Sequence, residues 1–569
     1  MNQGEMRRLI SVARGQASAD LLLANGRIIN VFSGEIERGN VAICGSSVAG
    51  IGDYTDGRDI IDLQGRYLAP GLIDGHTHVE SSLLYITQYA RAVVPRGTTA
   101  IVTDLHEIAN VCGLAGPREI LRASDTLPLD VFFMVPSCVP ATRLETAGAE
   151  ITADDVQMAL NWSHSIGLGE MMNFPGVLNG DSQVLLKLAS AGDVAVDGHA
   201  PGLSGKDLNA YAAAGIRSDH ESTSLGEARE KLSRGMWVMI REGSSEKNLA
   251  DLLPLVNDRT SHRCLFVADD RNCLDLMADG DIDAMVRKAI QLGLDPIRAI
   301  QMATINPAQC FGLKRMGAVA PGYQANLVVF SDLAAPQIEM VLHRGTVVAR
   351  DGRALFDEQA GPAEALRHTV RMKPFGVDAL RMPAGKRDQP IIEIVPGQIL
   401  TRKTSADVRL RDGFIVADVG QDILKLVVVE RHRASGNIGL GLVKGFGLKK
   451  GALASSVAHD SHNVIAVGVE ETDIAAAIGE VERLQGGLVI AADGQILASL
   501  PLPVAGLLSD KPLEAVAAML GNLERVASEL GCPLTSPFSI LSFLALPVIP
   551  QLRLTDRGLV DVEAFRLLA

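Results

Sequence analysis

The sequence predicts an α/β protein: a (β/α)8 barrel set into a small composite β domain and followed by a separate C-terminal α/β domain. Three observations predict it. Short apolar runs alternate with helix-like stretches as eight βα units over about 240 residues. Two Gly-punctuated blocks of strand pattern flank that region, and neither has enough strands for a sheet of its own. At 569 residues the chain is also too long for a single core.

Residues 1–69 supply the first part of the composite β domain, with strand patterns and tight turns in DLLLANGRIINVFSGEIERGNVAICGSSVAGIG. The pattern returns within residues 313–372, in GAVAPGYQANLVVFSDL and IEMVLHRGTVVARDGR. Residues 70–312 lie between as a large insertion with its own core. The first barrel strand starts at about Leu68. The others are TTAIVTD (98–104), LDVFFMVPS (129–137), SIGLGE (165–170), DVAVDGHA (193–200), GIRSDHE (215–221), MWVMIRE (236–242) and CLFVADD (264–270). Helix-like runs separate them. In SLGEAREKLSRG (224–235), apolar positions recur three to four apart before a glycine stop. The Pro- and charge-rich residues 373–392 read as a linker. Residues 393–569 alternate strands such as DILKLVVVE with helices such as TDIAAAIGEVERL and form the last domain.

Composition excludes several classes of partner. A net charge of −14 with 4% aromatic residues argues against nucleic acid, which calls for basic stripes or stacking rings. No apolar run reaches the ~20 residues of a membrane span. The N-terminal twenty residues lack the continuous apolar core of a secretory signal. Seven scattered cysteines form no CxxC pair, so reduced thiols and a cytoplasmic location are expected.

The stretch PGLIDGHTHVESS (70–82) is the most informative in the chain. Side chains alternate along a strand, so His76 and His78 point the same way and are placed to share a metal ion. Further groups with metal-ligand chemistry sit at strand ends. Asp104, His106 and Glu107 follow the second strand, Glu170 the fourth and His199 the fifth. Asp219-His220-Glu221 follow the sixth and Asp269-Asp270 the eighth. Each alone is more simply a helix cap or a solvated polar group. In a barrel, however, these ends converge on one mouth. Histidines with carboxylates make a mixed nitrogen and oxygen set suited to zinc, manganese or iron.

With HTH after strand one, single histidines after strands five and six and an aspartate after strand eight, the chain resembles the amidohydrolase superfamily. Within it, the chain is similar to the adenine deaminases of the bacterial type. PGLIDGHTHVESS, TDLHEIANV, GLGEMMNFPGV, DGHAPGL, SDHES and ADDRN carry the likeness across the barrel. GFGLKKGALASSVAHDSHN extends it to the last domain. The resemblance implies a metal-dependent barrel holding two divalent ions per chain (manganese, iron or zinc, with manganese expected for activity). His76, His78 and Asp269 would hold one ion and His199 and His220 the other, with Glu170 bridging. One departure shows: the family pattern after strand two is Asp-Pro-His-Glu, and here Leu105 replaces the proline. Asp104 is carried as a further ligand or an anchor behind the ligands.

The implied reaction is hydrolysis of adenine to hypoxanthine and ammonia by a metal-activated hydroxide, in purine salvage or catabolism. Asp269 would move the proton from hydroxide to the departing amine. Glu80, His106, Glu107 and Glu221 are candidates to protonate ring N1. Ser81, Ser82, Arg241 and Glu242 are further polar groups expected at the mouth, each more simply read as a cap or surface residue than as a group that binds adenine. Ser81 and Glu221 are carried as substrate-binding candidates. So are His459 and His462 of Ala458-His459-Asp460-Ser461-His462-Asn463, a loop that either is solvated or reaches the barrel mouth. A purine as the small-molecule substrate and a homo-oligomer (a dimer) complete the expectations. The alternative enzyme is a two-metal amidohydrolase acting on a cyclic amide, of dihydroorotase or hydantoinase type. Those usually carry a lysine where this chain has Glu170. A one-metal aminohydrolase would not need Glu170, and a non-catalytic relative would have lost ligands.

Overall fold

The computed structural model describes residues 2–357, 361–385, 388–395 and 398–568. Eight short parallel strands form the central unit: β1 (Leu72–Thr77), β2 (Thr98–Asp104), β3 (Asp130–Val135), β4 (Ser165–Met171), β5 (Ala195–Gly198), β6 (Ser218–Asp219), β7 (Trp237–Arg241) and β8 (Cys264–Val267). Strands β1 to β5 make one parallel sheet and β6 to β8 another. Main-chain hydrogen bonds close both seams. Asp269 N donates to His76 O at 3.0 Å and His78 N to Asp269 O at 3.2 Å, joining β8 to β1. Arg217 N donates to Val196 O at 3.2 Å across the other seam. There Gly198 is required by space, since a Cβ would stand 2.2 Å from Ser218 O. The result is a (β/α)8 barrel.

Strand alternation explains the barrel core. On β2, Ala100 and Val102 join Ile73, Met134, Met239, Leu265 and Val267 in one buried cluster. The intervening Ile101 belongs to the larger cluster with Ile86, Val93 and Ile120 of the surrounding helices. Ala308, Phe311, Leu313 and Met316 plug the base.

The two flanking blocks share one nine-stranded sheet. Tyr67–Pro70 pairs antiparallel with Leu327–Phe330, the seam where the strands before the barrel meet those after it. The C-terminal domain is built on an eight-stranded sheet. Its helix Glu471–Leu484 packs Ile474, Ala477, Ile478 and Val481 onto that sheet's apolar residues. The segment expected as a linker, residues 373–392, is not a free spacer among the described residues. Met382–Pro383 pairs with Phe414–Ile415, and Asp388–Ile394 pairs with Thr401–Asp407. Its Pro and charged residues hid strand pairing that depends on partners further along the chain. No helix among the described residues is long and apolar enough to cross a membrane.

The C-terminal domain sits against the barrel. Ser509 N donates to Leu83 O at 2.8 Å, Leu513 N to Gln88 Oε1 at 2.9 Å and Asn463 Nδ2 to Thr146 O at 2.8 Å.

Candidate active site

The C-terminal ends of the strands bring His76, His78, His106, Glu170, His199, His220, Glu221 and Asp269 into one buried cluster. Each imidazole of the first pair is anchored from behind. His76 Nδ1 donates to Asp197 Oδ2 at 2.8 Å, and His78 Nδ1 donates to Asp104 O at 2.9 Å. Both rings have therefore used their N–H at Nδ1, and their Nε2 atoms face each other 3.1 Å apart. Asp269 Oδ1 lies 3.5 Å from His76 Nε2 and 3.3 Å from His78 Nε2. Two imidazole nitrogens and an anion converging at such distances can share a cation.

Glu170 divides its carboxylate between two groups of rings. Oε1 is 3.2 Å from His78 Nε2 and 3.8 Å from His76 Nε2. Oε2 is 2.6 Å from His199 Nδ1 and 3.4 Å from His220 Nε2. One anion placed between two nitrogen pairs is the arrangement a bridging ligand needs. Its backbone is fixed too, because Glu170 N donates to Asp104 Oδ2 at 2.9 Å. Gly169 permits that contact, since a Cβ there would stand 1.9 Å from the same oxygen. Asp104 thus touches the main chain of Glu170 and, at 3.5 Å, His106 Nδ1.

The charges match. Burial opposes protonation of His76, but hydrogen bonds to Asp197 and Asp269 outweigh it and push the ring up to about 10. His199 rises to about 9, with burial outweighed by Glu221 and Glu170. Burial would raise the carboxyls of Glu170 and Asp269, yet the surrounding imidazoles hold both well below the carboxylate range. Without metal, these nitrogens hold protons at neutral pH, so metal loading must displace protons. The imidazoles and carboxylates around Glu170 have the donor chemistry of a divalent-metal site, with Glu170 between the His76/His78 and His199/His220 groups.

Arg241, at the end of β7, grips Glu221 with both arms of its guanidinium, one of them at 3.1 Å to Oε2, and donates to Asp269 Oδ2 at 2.8 Å. Asp269 sits at φ +55, a left-handed conformation unusual outside glycine. Glu80 accepts from Ile108 N at 3.1 Å through Oε1, while its buried Oε2 has no hydrogen-bond partner. Burial and the neighbouring Glu107 raise its carboxyl to about 7. Ser81 donates its hydroxyl to Asp270. The 458–463 loop reaches this end of the barrel: His459 and His462 both contact Glu107, and the His459 ring stacks on Phe543 with centroids 4.4 Å apart.

Sequence reasoning missed Asp197 and Asp460, and it weighed Arg241 as a surface residue. Asp197 could have been found, since it lies on β5 only two positions before His199, which follows the strand end. Arg241 carried no such signal, because its partners are 20 and 28 residues away.

The amidohydrolase family matches residues 67–349, and the adenine deaminase C-terminal domain matches residues 398–566. Fold and site therefore define the class, an amidohydrolase with a metal-ligating barrel mouth. An adenine deaminase of Dehalococcoides mccartyi is 59% identical over 566 residues, 100% of this chain and 99% of the relative. Adenine deaminase 2 of Carboxydothermus hydrogenoformans is 49% identical and an adenine deaminase of Methanothrix thermoacetophila 48%, each covering 98% of both chains. The chain belongs to the adenine deaminase family.

Proposed function

We propose that this chain hydrolyses adenine to hypoxanthine and ammonia, with His76, His78, Glu170, His199, His220 and Asp269 holding two divalent ions. The observation that carries the chemistry is the split of Glu170 between two imidazole pairs. Near-complete coverage by relatives named adenine deaminase supports the purine. Metal ions held there lower the pKa of water from 15.7 towards ~7 and so supply a nucleophile at neutral pH. Manganese is our choice for activity. Seven free cysteines support a reducing compartment.

The protein's own groups handle protons and position. Arg241 pins Asp269 Oδ2, which leaves Oδ1 to face the nucleophile. Asp269 Oδ1 takes a proton from the attacking water as the tetrahedral centre forms at C6, then delivers it to the departing amine. Among the candidates for protonating N1, Glu221 is tied to Arg241, and Glu107 is held by His459 and His462. Glu80 keeps one carboxyl oxygen uncommitted and titrates near neutrality, so it is assigned this proton. A cavity of about 60 Å³, lined in part by Ser81, Asp270, His459 and Phe538, opens between the barrel and the C-terminal domain.

Ammonia release from a panel of adenine, adenosine, AMP, cytosine, guanine and dihydroorotate by manganese-reconstituted enzyme tests the reading. Adenine should be fastest. Faster release from adenosine, or hydrolysis of dihydroorotate, contradicts it.

A further inference from the structure

Beside the Glu170 centre, four buried donors from two domains converge. His106 and Glu107 follow β2, whereas His459 and Asp460 come from the C-terminal loop, with His459 standing 352 residues beyond Glu107. His106 Nε2 is 3.4 Å from Glu107 Oε1 and 3.8 Å from Asp460 Oδ1. His459 Nδ1 contacts Glu107 Oε1 and is 3.8 Å from Asp460 Oδ1.

We propose that His106, Glu107, His459 and Asp460 form a further divalent-cation site that latches the C-terminal domain onto the barrel mouth. The decisive group is Asp460. It is 1% exposed, and its Oδ2 has no hydrogen-bond partner. A buried carboxylate without a donor is strongly unfavourable unless a cation meets it. Three imidazoles surround Glu107, and Asp460 Oδ1 stands 3.8 Å from two of them, His106 and His459, but Asp460 Oδ2 has no donor.

The donor spacing suits an ion. With metal–ligand bonds of about 2.0–2.2 Å, neighbouring ligand atoms stand roughly 3–3.5 Å apart, so the observed donors need close only slightly. Two imidazole nitrogens and two carboxylate oxygens favour zinc, manganese or iron over calcium. His462 completes the arrangement from outside. Its Nδ1 accepts from Ala458 N at 3.1 Å, which leaves Nε2 in contact with Glu107 Oε2. That contact turns the other Glu107 oxygen towards the donors.

The test compares parent enzyme with Asp460→Asn after chelator stripping, saturation with Mn²⁺ and removal of unbound ion. Metal analysis should find one ion fewer per chain in the variant. Anomalous diffraction at the manganese edge from parent crystals should show a peak among His106, Glu107, His459 and Asp460, separate from those around Glu170. Equal metal content in the two proteins, or a parent map with no such peak, overturns the proposal. If Asp460→Asn does not fold, the parent map decides alone. Adenine turnover on the same parent preparation reports separately on the Glu170 centre, so its failure is distinguishable from failure of the latch.

Discussion

The two ends of the barrel both bury charged groups, and they use them in opposite ways. At the base, Asp130 at the start of β3 accepts from Asn326 Nδ2 at 2.7 Å and from Arg344 at 2.5 Å, with His343 at 3.3 Å. Asn326 Oδ1 in turn accepts from Arg344 N at 2.8 Å. Both Asp130 oxygens have a donor, although His343 Nε2 is in ion-pair contact without a hydrogen bond, and the cluster ties the composite sheet to the barrel. At the mouth, ring nitrogens of His106, His199 and His220 and carboxyl oxygens of Asp104 and Glu80 are buried without hydrogen-bond partners. Matched buried charge holds a fold together. A buried polar atom without a hydrogen-bond partner is unfavourable for folding and marks a place that a ligand can fill.

The sharpest way to break this contrast is Asp269→Asn. Turnover of adenine should fall about 10²- to 10⁴-fold with metals still bound, the range of a general acid–base group. Near-normal rates with bound metal would remove Asp269 from proton transfer. Next in size is Asp197→Asn, which loosens the anchor behind His76. Metal affinity or activity should fall about 10- to 100-fold, with the melting temperature of the metal-free protein little changed. Unaltered affinity would show that the His76 ring is fixed by packing alone.

The smallest effect on catalysis should come from the base. Asp130→Asn should destabilise by about 1.5–3 kcal/mol, the size of hydrogen bonds to a charged group, while leaving kcat unchanged. Burial would raise the Asp130 carboxyl, but His343, Arg344 and Asn326 outweigh it and lower its pKa in the folded protein. A lowered folded-state value gives stability that is present above the unfolded carboxylate range, near 3.9, and is lost as pH falls through the folded value. The stability gap between parent and variant should therefore be full at neutral pH and close in acid. A gap that widened in acid would contradict the assignment.

The barrel was legible because each strand is a short apolar run ending in chemistry-bearing residues. CLFVADD reads as a strand with a polar end, and Cys264–Val267 is followed, after Ala268, by Asp269 at the mouth. The sixth strand, Ser218–Asp219, is shorter than GIRSDHE suggested, because only its centre pairs with Trp237–Arg241. Ligand types could be read along each strand because their faces follow a period of two. The groups behind them could not. Arg241 meets Asp269 only once β7 and β8 lie side by side, and Asp460 meets His106 only once two domains dock. The 458–463 loop showed the same limit: its two readings differed in a contact with Glu107, some 350 residues away, that no local pattern encodes.

The imidazoles and carboxylates around Glu170 are proposed to hold the ions needed for adenine hydrolysis. Chelator-stripped enzyme titrated with Mn²⁺, with metal occupancy around Glu170 and ammonia release from adenine followed together, tests it most directly. Stripped enzyme should be inactive, and activity should rise with occupancy on both sides of Glu170. Full activity in the stripped enzyme, or with ions on one side only, would contradict it.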